Sequence, residues 1–204
     1  MTEVRKQPTE KIVSPMTSLA SFPGNFRLHD QNPDERILLF IRKHKVILLL
    51  EILGYSLLLF VPVFVQIVIS YMANALFNGI EEVNTFFSSK FWIIIWMVWI
   101  AYLLKGYYNI FFKWFYNINL LTDNRFIDFD FIGIFRNRIE ETSILNIQDA
   151  KDSQKGLLQS LFNMGNMEVL TASENTVFNL DNIPSSHKVR DFVMDVVIAK
   201  KQEK

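Results

Sequence analysis

The chain has 204 residues, a formal net charge of zero and a hydrophobic content of 50%, with 19 Phe and 4 Trp. This composition is too apolar for an ordinary small soluble enzyme, so a membrane protein is the first expectation. Cys is absent, which excludes disulfides, thiolate catalysis and cysteine-based zinc sites. The three His are scattered, and no pair has the spacing of a helical metal site, so we predict neither a metal nor a cofactor.

The N-terminal segment, residues 1–33, mixes Pro, Ser, Thr and charges without periodicity, which predicts a largely disordered region. The pattern changes in "DERILLFIRKHK", where Ile37, Phe40 and Ile41 fall at helical spacing beside basic residues. Two interpretations stay open for this segment. It is a helix lying in the cytoplasmic interface of a membrane, or it extends the following apolar run into the cytosol.

Two apolar runs are candidate membrane spans, at about residues 46–73 and 91–112, within a region that we delimit as residues 34–112. The first run holds one ionisable residue, Glu51, and Pro62 near its middle predicts a kink. Lys105 interrupts the second run, whose aromatic ends are typical of the two headgroup layers. Antiparallel spans would place Glu51 and Lys105 in the same half of the bilayer, as an ion pair, as snorkelling side chains or as part of a transport path.

The distribution of Lys and Arg predicts the orientation of the spans. The connecting loop, residues 74–90, offers only Lys90, and both termini are therefore predicted to be cytoplasmic. Seven basic residues precede the first span or end or follow the second: Arg36, Arg42, Lys43, Lys45, Lys105, Lys113 and Arg125.

Beyond the spans, residues 113–204 show the alternation of β-strands. In "RFIDFDF", Asp128 and Asp130 alternate with Ile127, Phe129 and Phe131, which predicts a half-buried strand. The dipeptide "DN" before it predicts a hairpin with "YNINLLT". Further strands are predicted in "RNRIEET", "ILNIQDAKD", "MEVLTA" and "TVFNLDNI", and short strands at this spacing indicate an antiparallel barrel or sandwich.

The chain closes with an amphipathic helix in "PSSHKVRDFVMDVVIAKK". Ser185 or Ser186 is the expected N-cap, and Lys200 and Lys201 complement the dipole at the other end. One apolar stripe follows the helical period: Val189, Phe192, Val193, Val196 and Val197.

Taken in order, these segments resemble a known family. The series "DERILLFIRKHKVILL", two spans, "LLTDNRFI", "GIFRNRIEETSILNIQDA", "QKGLLQSLFNMGNMEVLTA" and "FNLDNIP" is similar to bacterial membrane proteins with a pleckstrin-homology-like (PH-like) domain, the YdbS-like group. The resemblance implies an α+β membrane protein of the bacterial cytoplasmic membrane. Its two-helix transmembrane hairpin would be followed by a cytoplasmic PH-like antiparallel β-barrel or sandwich, capped by a C-terminal α-helix and without known enzymatic activity.

The stretch from Asn146 to Ala172 contains two glycines near a lysine but lacks the GxxxxGK[ST] order of a phosphate loop. Within the resemblance it is a strand, a turn with a short helix and a second strand, so Gly156 and Gly165 are structural. The short helix is expected to pack on the barrel through four apolar residues: Leu157, Leu158, Leu161 and Phe162.

Charged residues of the domain supply the candidate contacts. Arg136 and Arg138 are expected to meet anionic headgroups or a partner, or to pair with Glu140 and Glu141. Two acidic pairs are expected on solvent faces rather than in acid and base roles: Asp128 with Asp130, and Asp149 with Asp152.

The function expected from these features is a noncatalytic, membrane-anchored interaction module. Its domain would bind a protein, a peptide or a lipid headgroup, or associate with itself, in addition to the lipid bilayer around its spans. Nucleic acid is disfavoured because residues 113–204 carry eleven Lys and Arg against thirteen Asp and Glu. The alternative is an accessory subunit of a transport or channel complex that uses Glu51 and Lys105.

Overall fold

A computed structural model describes residues 13–24, 35–77, 89–133, 136–172 and 177–203, with the backbone alone at residues 73, 74, 76, 77, 89, 132, 136 and 137. The protein has an α+β fold with antiparallel sheets and a C-terminal helix. It divides into two compact units: Met1–Ile47 with Phe112–Lys204, and Leu48–Phe111. Most of the connecting loop predicted at residues 74–90 lies outside the described residues.

The two predicted apolar helices are present. Helix α1 (Lys45–Ser56) is followed by a 3₁₀ turn (Leu57–Phe60) and by α2 (Val61–Phe77), and helix α3 spans Ser89–Tyr116. The stretches long and apolar enough to cross a membrane are Lys45–Met72 and Lys90–Tyr116. Only 6% and 11% of their most apolar windows are buried, so these are not core helices enclosed by the described protein.

The kink predicted at Pro62 stays a prediction, and the structure shows a 3₁₀ turn just before the proline that compensates for its missing donor. Because Pro62 has no N–H, the carbonyl of Leu58 loses its α-helical donor. The backbone N–H of Val61 donates to that carbonyl instead, which makes the 3₁₀ turn. The indole Nε1 of Trp99 donates a second hydrogen bond to the same oxygen at 3.0 Å.

The same unit holds a close contact between the two helical stretches. A Cβ at Gly106 would collide with the ring and hydroxyl of Tyr55, so any larger residue there would require Tyr55 to move. The rings of Tyr55 and Tyr107 meet edge to face with centroids 5.1 Å apart, and the hydroxyls of Ser56 and Tyr107 are hydrogen-bonded at 2.8 Å. Small residues and hydrogen bonds of this kind are the usual packing elements of membrane helices.

The first sheet joins strands from both sides of the helices. Its order is β1 (Leu19–Ser21), β2 (Ile37–Arg42), β3 (Ile118–Thr122), β4 (Arg125–Gly133) and β5 (Arg136–Ser143), with every pair antiparallel. In register, Arg42 at the end of β2 faces Ile118 at the start of β3. The helical hairpin is therefore an insertion between two neighbouring strands.

This arrangement corrects two predictions about the N-terminal region. The run predicted as an interfacial or extended helix is strand β2, since most of its residues are buried and its continuous apolar pattern does not alternate. Residues 13–24, predicted as disordered, contain β1 and contribute Ala20 to a buried cluster. The rest of the predicted disordered segment, residues 1–12 and 25–33, lies outside the described residues.

The second sheet has the order β6 (Ile147–Ser153), β7 (Met164–Thr171) and β8 (Val177–Pro184), also antiparallel. A short helix, α4 (Leu157–Leu161), joins β6 to β7, and α5 (Ser186–Gln202) ends the described chain. The strands predicted for residues 118–184 are thus confirmed. One main core unites the two sheets and α5, with the rings of Phe126 and Phe178 5.3 Å apart at its centre.

Helix α5 confirms the predicted stripe, because Val189, Val193 and Val197 are buried in the main core and Phe192 and Val196 pack beside it. The predicted serine is at the N-cap, but the prediction that its hydroxyl caps the helix is wrong. Ser185 occupies the N-cap position with a left-handed φ of 49° and makes no capping hydrogen bond. Its hydroxyl accepts from the Asn163 amide at 3.2 Å instead.

The predicted packing of α4 on the barrel is also wrong. Leu157 is 90% exposed and Leu161 is 76% exposed. The helix is present, but its apolar residues point away from the core.

Candidate functional site: a polar pocket between the two sheets

Strand β4 is covered on both faces, and this decides where its acidic residues lie. The alternation of the sequence is confirmed: Ile127 and Phe129 belong to a smaller cluster around Phe40 and Leu120. The main core, however, lies on the opposite face with Phe126. Because strand residues two apart share a face, Asp128 and Asp130 extend from the core side of the sheet. The prediction that they occupy a solvent face is therefore wrong.

These two carboxylates line a cavity of about 260 Å³, which we call the polar pocket. Strands β3 and β4 of one sheet and β8 of the other contribute to it. The remaining contributors are the chain segment that leads into α1 and the last turn of α3. The lining residues are Lys43, Lys113, Asn117, Asn119, Asp128, Asp130, Asn179, Leu180, Asp181 and Ile183.

Asn117 fixes one wall of the polar pocket. It lies between the end of α3 and the start of β3, where its backbone N–H donates to the carbonyl of Lys113. Its side-chain amide donates to Asp130 Oδ1 at 3.0 Å, and its Oδ1 accepts from the backbone N–H of Phe131 at 2.6 Å. A residue that ends the long helix therefore also holds β4 and orients an acidic side chain.

The acidity of Asp128 is perturbed by its position in the pocket. Burial raises its pKa to about 6, helped by the negative charges of Asp130 and Glu140 and opposed by Arg138 and Lys43. In register it faces Asn119 on β3, whose Oδ1 is buried without a hydrogen-bond partner. The lining thus combines carboxylate acceptors with ammonium and amide donors, and the buried Asn119 Oδ1 is one acceptor that a donor-bearing group could satisfy.

The two lysines of the polar pocket come from the segments next to the candidate spans. Lys43 lies two residues before α1, and Lys113 lies in the last turn of α3. The indole of Trp114 donates to the carbonyl of Lys43 at 3.0 Å, which ties these two segments together. Both lysines of the pocket therefore belong to segments that adjoin the candidate spans.

Two basic residues that the sequence assigned to the membrane flank are engaged inside the domain. The Arg42 guanidinium lies about 5 Å from the ring centroids of Phe40, Trp114 and Phe115, and it donates to the Pro15 carbonyl at 2.6 Å. Burial lowers the pKa of Arg42 to about 10. Arg125 binds the buried carboxylate of Glu35 at 3.0 Å.

Of the predicted arginine pair, Arg138 does not line the polar pocket. Arg138 is an exposed residue of β5 that pairs with Glu140, the pairing foreseen as an alternative to headgroup contact. Glu141 pairs with Arg125 instead, at 2.7 Å. The side chain of Arg136 lies outside the described residues.

The charges inside the candidate spans are not brought together either. Glu51 and Lys105 are both exposed, and the ion pairs of the described residues do not join them. Their role in a transport path stays a prediction.

Asp152 departs from its predicted solvent face. Its side chain is 2% exposed and is paired with Arg190 at 2.6 Å and with His187, so it joins β6 to the start of α5. Asp149 is exposed and accepts from the next backbone N–H. Across the described residues, no group of three or more His, Asp or Glu side chains could hold a metal ion.

Most of the polar pocket was missed from the sequence, although a signal existed. Asn119, Asn179 and Asp181 interrupt apolar strands at alternate positions, which marks one polar face on β3 and on β8. That these faces meet depends on the pairing of the sheets. Comparison with known proteins gives no significant match to a family model, a curated protein or a solved structure.

Proposed function

We propose that this chain is a noncatalytic, membrane-anchored binding module of the bacterial cytoplasmic membrane, with a PH-like domain of the YdbS-like kind. Helices α1–α2 and α3 form its two-span anchor. Their apolar surface is almost uncovered by the described protein, and exposing such surface to water is strongly unfavourable. Two antiparallel sheets around one core, with a C-terminal helix packed on it, are the features that a PH-like domain requires.

The pairing of β2 with β3 supports the proposed topology. These strands come from the chain before α1 and after α3, so a membrane hairpin between them must begin and end on the same side. The basic flanking residues favour the cytoplasmic side. Both termini are then cytoplasmic.

The observation that carries the binding role is the lining of the polar pocket by Lys43 and Lys113 together with three aspartates. The lysines adjoin the span ends, where lipid phosphates lie. The carboxylates of Asp128 and Asp130 supply acceptors in the same cavity. We infer that the ligand is a lipid headgroup with both a phosphate and an ammonium, such as phosphoethanolamine, because charge-assisted hydrogen bonds would satisfy both ends.

The test is lipid retention by the full chain. After extraction in mild detergent, bound lipids are quantified by mass spectrometry for the wild type and for the Asp128→Asn, Asp130→Asn double variant. We expect the variant to lose about tenfold in retained amine-bearing lipid, since a hydrogen bond to a charged group contributes about 1.5–3 kcal/mol. Asp195→Asn, which alters an exposed carboxylate on α5, is the matched control. An unchanged lipid profile in the double variant contradicts the headgroup assignment.

A further inference from the structure

Helix α4 displays a compact apolar surface, which we call the α4 cluster: Leu157, Leu158, Leu161 and Phe162. Their exposed fractions are 90%, 51%, 76% and 38% in chain order. Single exposed apolar residues are common on proteins, but four within six positions form a patch of the kind that marks an interaction surface.

The α4 cluster is held in place by polar contacts on the inner side of the helix. The Gln159 amide donates to Asn182 Oδ1 at 2.9 Å and to Asn166 Oδ1 at 3.1 Å. The side-chain oxygen of Gln159 accepts from the backbone N–H of Lys155 at 2.6 Å, and the Gln154 amide donates to the backbone carbonyl of Gln159 at 2.8 Å. The usual arrangement of a surface helix is reversed, because the polar residue faces the protein and the apolar residues face outward.

These same contacts locate α4 beside the start of the first candidate span. The backbone carbonyl of Asn182 accepts from the N–H of His44 at 2.8 Å, and α1 begins at the next residue, Lys45. Gln159 and His44 therefore bind the same asparagine. Helix α4 is therefore tied, through one asparagine, to the residue that directly precedes α1.

The charge around the α4 cluster also suits a membrane surface. Residues 153–165 contain one cation, Lys155, and no Asp or Glu. Lys155 is exposed and stands two residues before Leu157. An apolar surface beside a cation is the pattern of segments that bind at the interface of anionic bilayers.

We propose that the α4 cluster inserts into the interfacial layer of the bilayer that holds the spans, as a third point of membrane attachment. This inference rests on the proposed two-span anchor. The occupant is lipid rather than a protein partner because the cluster is fixed next to the span entrance and carries a cation at its edge. Insertion of about 5–10 Å would cover the leucine side chains.

The absence of Cys allows a direct test with single labelling sites. Leu157→Cys and Leu161→Cys in the full chain are labelled with an environment-sensitive dye and reconstituted into nanodiscs of phosphatidylcholine and phosphatidylglycerol. Lipids with a spin label near the headgroup are expected to quench the emission of both probes, as for probes at interfacial depth.

Two further sites serve as references. Ile198→Cys alters an exposed apolar residue of α5 that lies three positions before Lys201. The ammonium of Lys201 donates to the carbonyl of Ile147, and Ile147 is at the end of β6 opposite to α4. Seven strand residues separate these ends by about 20 Å, so this probe is expected to stay unquenched. Val98→Cys, an exposed residue of α3, reports on the anchor itself and is expected to be quenched by lipids labelled deep in their chains.

The outcomes separate the two proposals. Quenching at residues 157, 161 and 98 but not at 198 supports insertion of the α4 cluster. Quenching at residue 98, with dye emission typical of water at residues 157 and 161, overturns insertion of the α4 cluster but not the two-span anchor. A surface that docks a protein would give the same result, because the discs contain only this chain. Equal quenching at residues 157, 161 and 198 also overturns insertion of the α4 cluster. Absence of quenching at residue 98 overturns both the two-span anchor and this inference.

Discussion

At the scale of single residues, the domain uses its charges in ways that residue type alone does not reveal. Arg42 follows an apolar strand and resembles a cation that flanks a membrane span, yet it is buried against three aromatic rings. Asp128 and Asp130 alternate with apolar residues like solvated side chains, yet they line a cavity between the sheets. The alternation predicts which residues share a face. It does not predict which of two buried faces meets the larger core.

The raised pKa of Asp128 predicts a pH-dependent stability. Its folded-state pKa of about 6 lies above the ordinary value of 3.8, so the folded chain holds the proton more tightly than the unfolded chain. This contribution is complete at low pH and is lost as the pH rises through the folded-state pKa. Asp128→Asn, which stays neutral, should therefore be more stable than the wild type by about 1–2 kcal/mol near pH 7.5, after allowance for solvent screening.

Unfolding of both proteins in one detergent, followed from about pH 3.5 to 7.5, measures this difference. The advantage of Asp128→Asn should vanish at the acid end of that range. The control variant Asp195→Asn should show no such trend. A difference that is constant with pH, or that grows toward acid, contradicts the assigned burial of Asp128.

At the scale of elements, strands β3–β8 and helix α5 were predictable because their residues alternate or repeat at the helical period. Strand β2 was not, since it is buried on both faces and "ILLFIR" is followed almost directly by the first candidate span. Helix α4 was predicted to exist, but its apolar residues were assigned to the core. The observed orientation of the helix depends on Gln159, whose side chain faces the domain. Its hydrogen bonds go to side chains that are distant in the sequence, so local periodicity could not reveal them.

The compensation of Pro62 by Trp99 gives a prediction for the helical hairpin. Trp99→Phe removes the indole donor to Leu58 and should destabilise the hairpin by about 0.5–1 kcal/mol. In a Pro62→Ala background the restored N–H can serve the same carbonyl, so the substitution should have little further effect. A double-mutant cycle of unfolding free energies in detergent measures the coupling. Strictly additive effects would show that Trp99 does not replace the missing donor.

At the scale of the whole molecule, one domain is built from both flanks of the helical hairpin. Its sheet needs β2, which comes before α1, next to β3, which comes after α3. The sequence boundary at residue 113 separates these strands and therefore cuts through the domain. Long-range pairing of this kind leaves no local trace in composition or periodicity, whereas the helices inserted between the strands are evident from both.

The most direct measurement is the thermal unfolding of a fusion that joins residues 1–47 to residues 112–204 through a short Gly/Ser linker. These ends bound the compact unit, and the bond from Trp114 to Lys43 holds the two segments together. In one mild detergent, the fusion should unfold in a single cooperative transition, while residues 113–204 alone should show none. Cooperative unfolding of residues 113–204 at the same temperature as the fusion, or no transition in the fusion, would contradict the account.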